Sequence, residues 1–123
     1  MKMFTFNPGD LLFRPEGLYQ HIGVYIGWGR VLQNTVEKGE HVSDVHQFSR
    51  GQKIGFKKTS SNVSAVLSRA EAKIRNPKPY HILNNNCEHT AYEVAEGHRN
   101  SPQLWFWLAV GLLAVIYFTC RSR

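Results

Sequence analysis

The sequence predicts an α+β fold: a small antiparallel sheet packed against a helix that starts at a cysteine, followed by a C-terminal transmembrane helix. Three patterns predict it. Residues 20–26 alternate: Ile22, Val24 and Ile26 point one way, His21, Gly23 and Tyr25 the other, as in a half-buried strand. Val63, Val66, Leu67, Ala70 and Ile74 recur at helical spacing. Residues 104–120 (LWFWLAVGLLAVIYFTC) carry no charge. As a helix they would span about 25 Å, near the short end of what crosses a bilayer.

Composition sets the frame for these elements. A chain of 123 residues has room for one domain and a short appendage. Hydrophobic residues make up 42% and charged residues 20%, which excludes a disordered tail or a fibrous repeat. Two Cys exclude a framework of several disulfides. The net charge of +6 makes anionic surfaces plausible partners. There is no nucleic-acid motif, however, and bulk charge alone does not make one, so no nucleic acid is expected. A mean hydropathy of −0.35 averages over a very uneven chain.

In chain order, residues 10–14 (DLLFR) read as a short strand that Pro15-Glu16-Gly17 breaks. Residues 20–26 and 30–35 form a hairpin around Gly27-Trp28-Gly29. A three-residue loop there pairs Ile26 with Arg30 and Gly23 with Gln33, which sets Gln33 diagonal to His21 on one face. Residues 41–51 are mixed, with Ser43-Asp44 as the cap of one helical turn through Phe48. Residues 53–58 (KIGFKK) are a strand whose cations make a solvated face. Ser61 or Asn62 caps the helix that Asn76-Pro77 ends. Residues 80–83 are extended. Asn84-Asn85-Asn86 is a turn and cap, and a second helix runs from Cys87 to Glu96 with Gly97 as its stop. Ala91, Val94 and Ala95 form its apolar stripe.

The last segment reads as a membrane anchor. Ser101 caps it and Pro102 opens it. Trp105 and Trp107 cluster at one end and Tyr117 near the other, as an aromatic belt would place them. A core helix normally shows a polar face, and this one has none. The N-terminal residues lack the apolar run of a secretory signal. The expected organisation is a domain over residues 1–97, a linker over 98–103, the transmembrane helix over 104–120 and a short basic tail over 121–123. This is a single-pass C-terminal anchor with the domain facing the cytoplasm.

Cys87 follows three Asn and opens a helix, where unpaired N–H groups and the helix dipole favour a thiolate and should lower its pKa. Those groups could also hold an oxyanion. An inert buried Cys fits the position too. His21 is the candidate base, and Gly23 beside it leaves room for another element, such as the Cys87 helix, to approach. A half-exposed His near a strand end is the other reading. Gln33 could orient the imidazole by accepting its N–H. Glu88 and His89 serve local hydrogen bonds. The two Cys, 33 residues apart, make no zinc arrangement, so neither a metal nor another cofactor is expected.

The run Asn86-Cys87-Glu88-His89 at a helix start resembles the lecithin:retinol acyltransferase-like family. So do Pro8-Gly9-Asp10-Leu11-Leu12 and the stretch from Leu18 through His21 to Gly27. The chain order, His first and Cys last, fits the circularly permuted NlpC-type, papain-like thiol hydrolase fold. The resemblance covers residues 8–97. It implies Cys87 as nucleophile and His21 as general base. It also implies an acyl thioester discharged to water, an alcohol or an amine. Familiar members act on glycerophospholipid acyl chains. Gln33 stands where the family often has a second His, a change that tunes the site. Thr90 stands where an aromatic usually follows the Cys motif, and the loop over residues 37–53 is short; both alter the groove walls.

The expected function is therefore a membrane-anchored thiol acyltransferase or phospholipase. Its expected partners are a phospholipid membrane, a lipid acyl donor and an amine, alcohol or water acceptor. The alternatives are an amidase or peptidase of the same superfamily and a non-catalytic membrane-tethered interaction module. A lipid enzyme needs an apolar groove opening towards the anchor, and an amidase needs a polar cleft.

Overall fold

The computed structural model describes residues 6–59 and 62–121. Five strands form one antiparallel sheet in the order β4-β3-β2-β1-β5. They are β1 (Leu11–Glu16), β2 (Tyr19–Gly27), β3 (Arg30–Thr35), β4 (Gly39–Asp44) and β5 (Gly55–Lys57). Four helices complete the fold: α1 (Val45–Ser49), α2 (Val63–Arg75), α3 (Cys87–Glu96) and α4 (Pro102–Arg121). The α+β expectation holds, with the sheet packed against the helix that Cys87 opens.

The alternation of β2 divides the core. Ile22, Val24 and Ile26, with Leu11 and Leu32, pack against Val66 and Ala70 of α2 and Ala91, Val94 and Ala95 of α3. On the other face Leu12, Tyr25 and Val31 pack against Val45 and Phe48 of α1. The sheet is therefore the middle of three layers. Every apolar side chain from Ile22 to Ile26 has a cover, which is why the strand is legible in the sequence.

The hairpin reaches the expected register by a different route. Gly23 pairs with Gln33, but Arg30 pairs with Gly27 rather than Ile26. The turn has two central residues, Trp28 and Gly29, both at positive φ (55° and 71°). That is the mirror-image turn that matches strand twist. A bulge between Tyr25 and Gly27 absorbs the extra residue and restores the facing of His21 and Gln33.

Other elements depart from the sequence reading. β1 continues through Pro15, which pairs with Gln20. β5 pairs with β1 only as far as Phe13, so Pro15 sits on an open edge, where a proline is tolerated. β4 was hidden because GEHVSD holds one apolar side chain and forms the sheet edge. Residues 80–83 are not extended; residues 82–84 form a turn closed by a bridge between His81 and Asn85. In α2, Val63, Leu67 and Ile74 are exposed, and the buried stripe is Val66, Ala70 and Lys73. Asn62 caps α2 by accepting from the Ala65 N–H at 3.2 Å, while Ser61 lies outside the described residues, as do residues 122–123 of the expected basic tail.

Lys73 belongs to that stripe because of its charge. Its Nζ lies 3.2 Å from Glu40 Oε2 on β4 and 2.8 Å from Glu93 Oε2 on α3. Thr90 of α3 donates to the same Glu40 oxygen at 2.7 Å, and the Lys78 N–H donates to Oε1 at 2.9 Å. Buried charges persist when paired and hydrogen-bonded, as Lys73 and Glu40 are. The network ties α2, α3 and β4 together.

Candidate active site

α3 begins where the sequence places it. The Asn86 carboxamide accepts from the N–H groups of Glu88 (2.9 Å) and His89 (3.1 Å), and His89 Nδ1 accepts from the Asn86 N–H at 3.1 Å. This reciprocal cap sets Cys87 at the first helical position. It also takes two of the N–H groups that could have held an oxyanion, so the Cys87 N–H is the one the cap leaves.

Cys87 is 5% exposed and His21 is 4% exposed. Both line a narrow cleft of about 30 Å³, with Arg14, Asn34 and Tyr80 among its walls. The backbone N–H of Ile22, the residue after His21, favours the Cys87 thiolate. The three expected site residues are thus gathered at one end of the sheet. His21 is buried, so the reading of a half-exposed strand-end His does not hold.

Gln33 stands where the hairpin register puts it. His21 Nε2 lies 2.9 Å from Gln33 Oε1, and the Gln33 amide donates to Ser43 Oγ at 2.7 Å. Ser43 occupies the amide N–H, so the carbonyl oxygen faces the ring and accepts its N–H. The imidazole then carries its proton on Nε2 and keeps a lone pair on Nδ1.

The electrostatics correct one expectation. Burial pushes the Cys87 thiol up to about 11, and this outweighs the N–H of Ile22 that favours the thiolate. The Glu88 carboxylate pushes it further up. Helix-start donors alone do not set a thiol's pKa once the sulfur is dehydrated. Burial also holds His21 down at about 4; the Gln33 acceptor opposes this and the Arg14 guanidinium adds to it. At neutral pH the pair rests as a thiol and a neutral imidazole.

Gly23 corrects another. A Cβ there would lie 2.7 Å from Val31 Cγ1 and 2.8 Å from Phe48 Cε2. The space beside Gly23 is filled by Val31 of β3 and Phe48 of α1, and not by the Cys87 helix. The Phe48 ring lies 5.4 Å from the His21 ring, centroid to centroid. Arg14, opposite His21 in the ladder, donates through Nε to the Phe48 carbonyl at 2.6 Å and pairs with Glu16.

The sequence reading passed over Asn34. Its amide donates to the Asn85 carbonyl at 2.7 Å and to Thr90 Oγ1 at 3.1 Å, clamping the α3 start to β3. Two adjacent polar residues inside a buried strand, Gln33 and Asn34, were the available signal. Glu88 also does more than bond locally. Its Oε1 accepts from Ser101 Oγ (2.9 Å) and from the Gln103 N–H (2.8 Å). Gln103 exchanges two hydrogen bonds with the backbone of Gln20, at 2.8 and 2.9 Å. The foot of α4 is therefore bonded to the residues next to Cys87 and His21.

A second cavity of about 330 Å³ is also lined by Cys87. Its walls are mainly apolar, with Val36, Tyr80 and Ile82 on the domain and Leu104 and Trp107 on α4. Cys87 lines both cavities, with Tyr19, Val36 and Tyr80. α4 has 20 residues and an 18-residue stretch of mean hydropathy 1.8, which is long and apolar enough to cross a membrane. Among the described residues, no group of three or more His, Cys, Asp or Glu is gathered as a metal site.

A family model described as lecithin retinol acyltransferase matches residues 5–100, a stretch that includes His21, Gln33 and Cys87. No curated protein matches the chain.

Proposed function

The chain belongs to the lecithin retinol acyltransferase family, and from that premise we propose a membrane-anchored thiol acyltransferase or phospholipase that acts on glycerophospholipid esters. Membership carries acyl-transfer or thiol-hydrolase chemistry. The observation that carries the finer reading is the apolar groove running from Cys87 along Leu104 and Trp107. A fatty acyl chain fits such a groove, and an amide of a polar peptide does not.

In this mechanism Cys87 Sγ attacks the ester carbonyl while its proton passes to His21 Nδ1. Neither group is charged beforehand, so proton transfer accompanies attack. Gln33 holds the ring through Nε2. The Cys87 N–H faces the oxyanion. The intermediate collapses: the ester C–O bond breaks, His21 returns the proton to the leaving oxygen, and a lysophospholipid departs. Water, an alcohol or an amine then attacks the thioester, His21 takes its proton, and the thiolate leaves and recovers that proton. The domain lies on the cytoplasmic side, where Cys87 stays reduced.

Intact mass after incubation with mixed phospholipid tests this. A gain of one fatty acyl group is expected in the detergent-solubilised protein and in Cys120→Ala, and is lost in Cys87→Ala and His21→Ala. Folded protein that gives neither adduct nor lysophospholipid would overturn the lipid reading.

A further inference from the structure

We propose that the loop tips carrying Leu18, Val36 and Ile82 form, together with the foot of α4, a surface that rests on a phospholipid bilayer. This rests on the reading of α4 as a membrane anchor. The three residues come from separate connections: β1–β2, β3–β4 and the α2–α3 segment. They are 87%, 70% and 63% exposed. A single exposed apolar side chain needs no explanation, but a group clustered at one end of a molecule does.

The cluster is fixed by the cavities at the foot of α4. Leu18 lines a cavity with Gln103, and Val36 and Ile82 line the groove with Leu104 and Trp107. These are the residues where the uncharged stretch begins. α4 has no buried residue, and its hydrogen bonds to the domain come from Gln103 and the preceding Ser101. If the helix enters the bilayer at Leu104, the three tips lie at the depth of the lipid headgroups and upper acyl chains. Trp105 and Trp107 belong at that same depth. The groove leading to Cys87 then opens onto the leaflet, and an acyl chain can enter without crossing water.

Trp28, 94% exposed, is the internal control. It follows the far end of β2, about 30 Å from Leu18 at the usual rise per strand residue.

The test uses the full chain with Cys87→Ser and Cys120→Ser, reconstituted into phosphatidylcholine vesicles. Single cysteines at positions 18, 36, 82, 28 and 113 carry an environment-sensitive fluorophore, and circular dichroism confirms folding of each variant. Labels at 18, 36 and 82 are expected to shift to the blue, with iodide quenching severalfold lower than at 28. Position 113, in the middle of α4, reports insertion of the anchor. A lipid-embedded 113 with 18, 36 and 82 as accessible as 28 overturns the surface and leaves the anchor standing. An accessible 113 overturns both.

Discussion

α3 and α4 are neighbours in the chain, and the fold holds them by opposite means. α3 buries six of its ten residues; α4 buries none of its twenty. α3 is therefore placed by packing and by the Lys73 network, and its N-terminus is held rigidly beside His21. α4 is placed through Ser101 and Gln103 and otherwise offers apolar surface. A helix that packs along its length takes its position from the core, whereas a helix fixed at one end takes its position from a few polar bonds and its surroundings.

The largest expected effect breaks the α3 side. Lys73→Met removes the cation between Glu40 and Glu93 and should destabilise the domain by about 3–5 kcal/mol, because Glu40 stays buried without its countercharge. Combining it with Glu40→Gln should recover much of the loss. Denaturant midpoints in detergent measure both.

Acid should act on the same side. His21 titrates near 4 when folded and near its ordinary 6.5 when unfolded. The unfolded chain then binds more protons between those values, so stability falls as pH drops through that window, by up to about 3 kcal/mol. His21→Phe should flatten this slope. α4 has no Asp, Glu or His, so its helicity should not follow the same curve.

Two smaller changes address the α4 foot. Ser101→Ala removes the N-cap and one donor to Glu88, for a loss of about 1 kcal/mol. Gln103→Ala breaks an exposed clamp and should change stability by less than about 1 kcal/mol. Its effect should appear instead as greater mobility of a spin label at position 105. A loss in either variant as large as that of Lys73→Met would remove the contrast between the helices.

The legibility of each part follows from its physics. β2, β3 and α3 were readable because alternation, a turn and an Asn cap are local signals. The diagonal approach of Gln33 to His21 followed from counting residues, although the count was right through a bulge and not through the loop length. β4 left no pattern because an edge strand need not alternate. Residues 98–103 read as a linker by composition, yet Ser101 is buried, since its bonds go to Glu88 and Asn86 at the far end of α3, 13 and 15 residues back in the chain. Gly23 signalled a close approach without saying by what.

The sequence by itself determined β2, β3 and α3, the candidates His21, Gln33 and Cys87, and the apolar helix that follows. These depend on side-chain periodicity and on capping within a few residues. Only the tertiary structure decided the charge state of the site, the α1 packing behind His21, and the opening of the groove towards α4. Dehydration of a thiol, burial of an imidazole and the meeting of loops distant in the chain depend on what is packed nearby, and no local pattern encodes them.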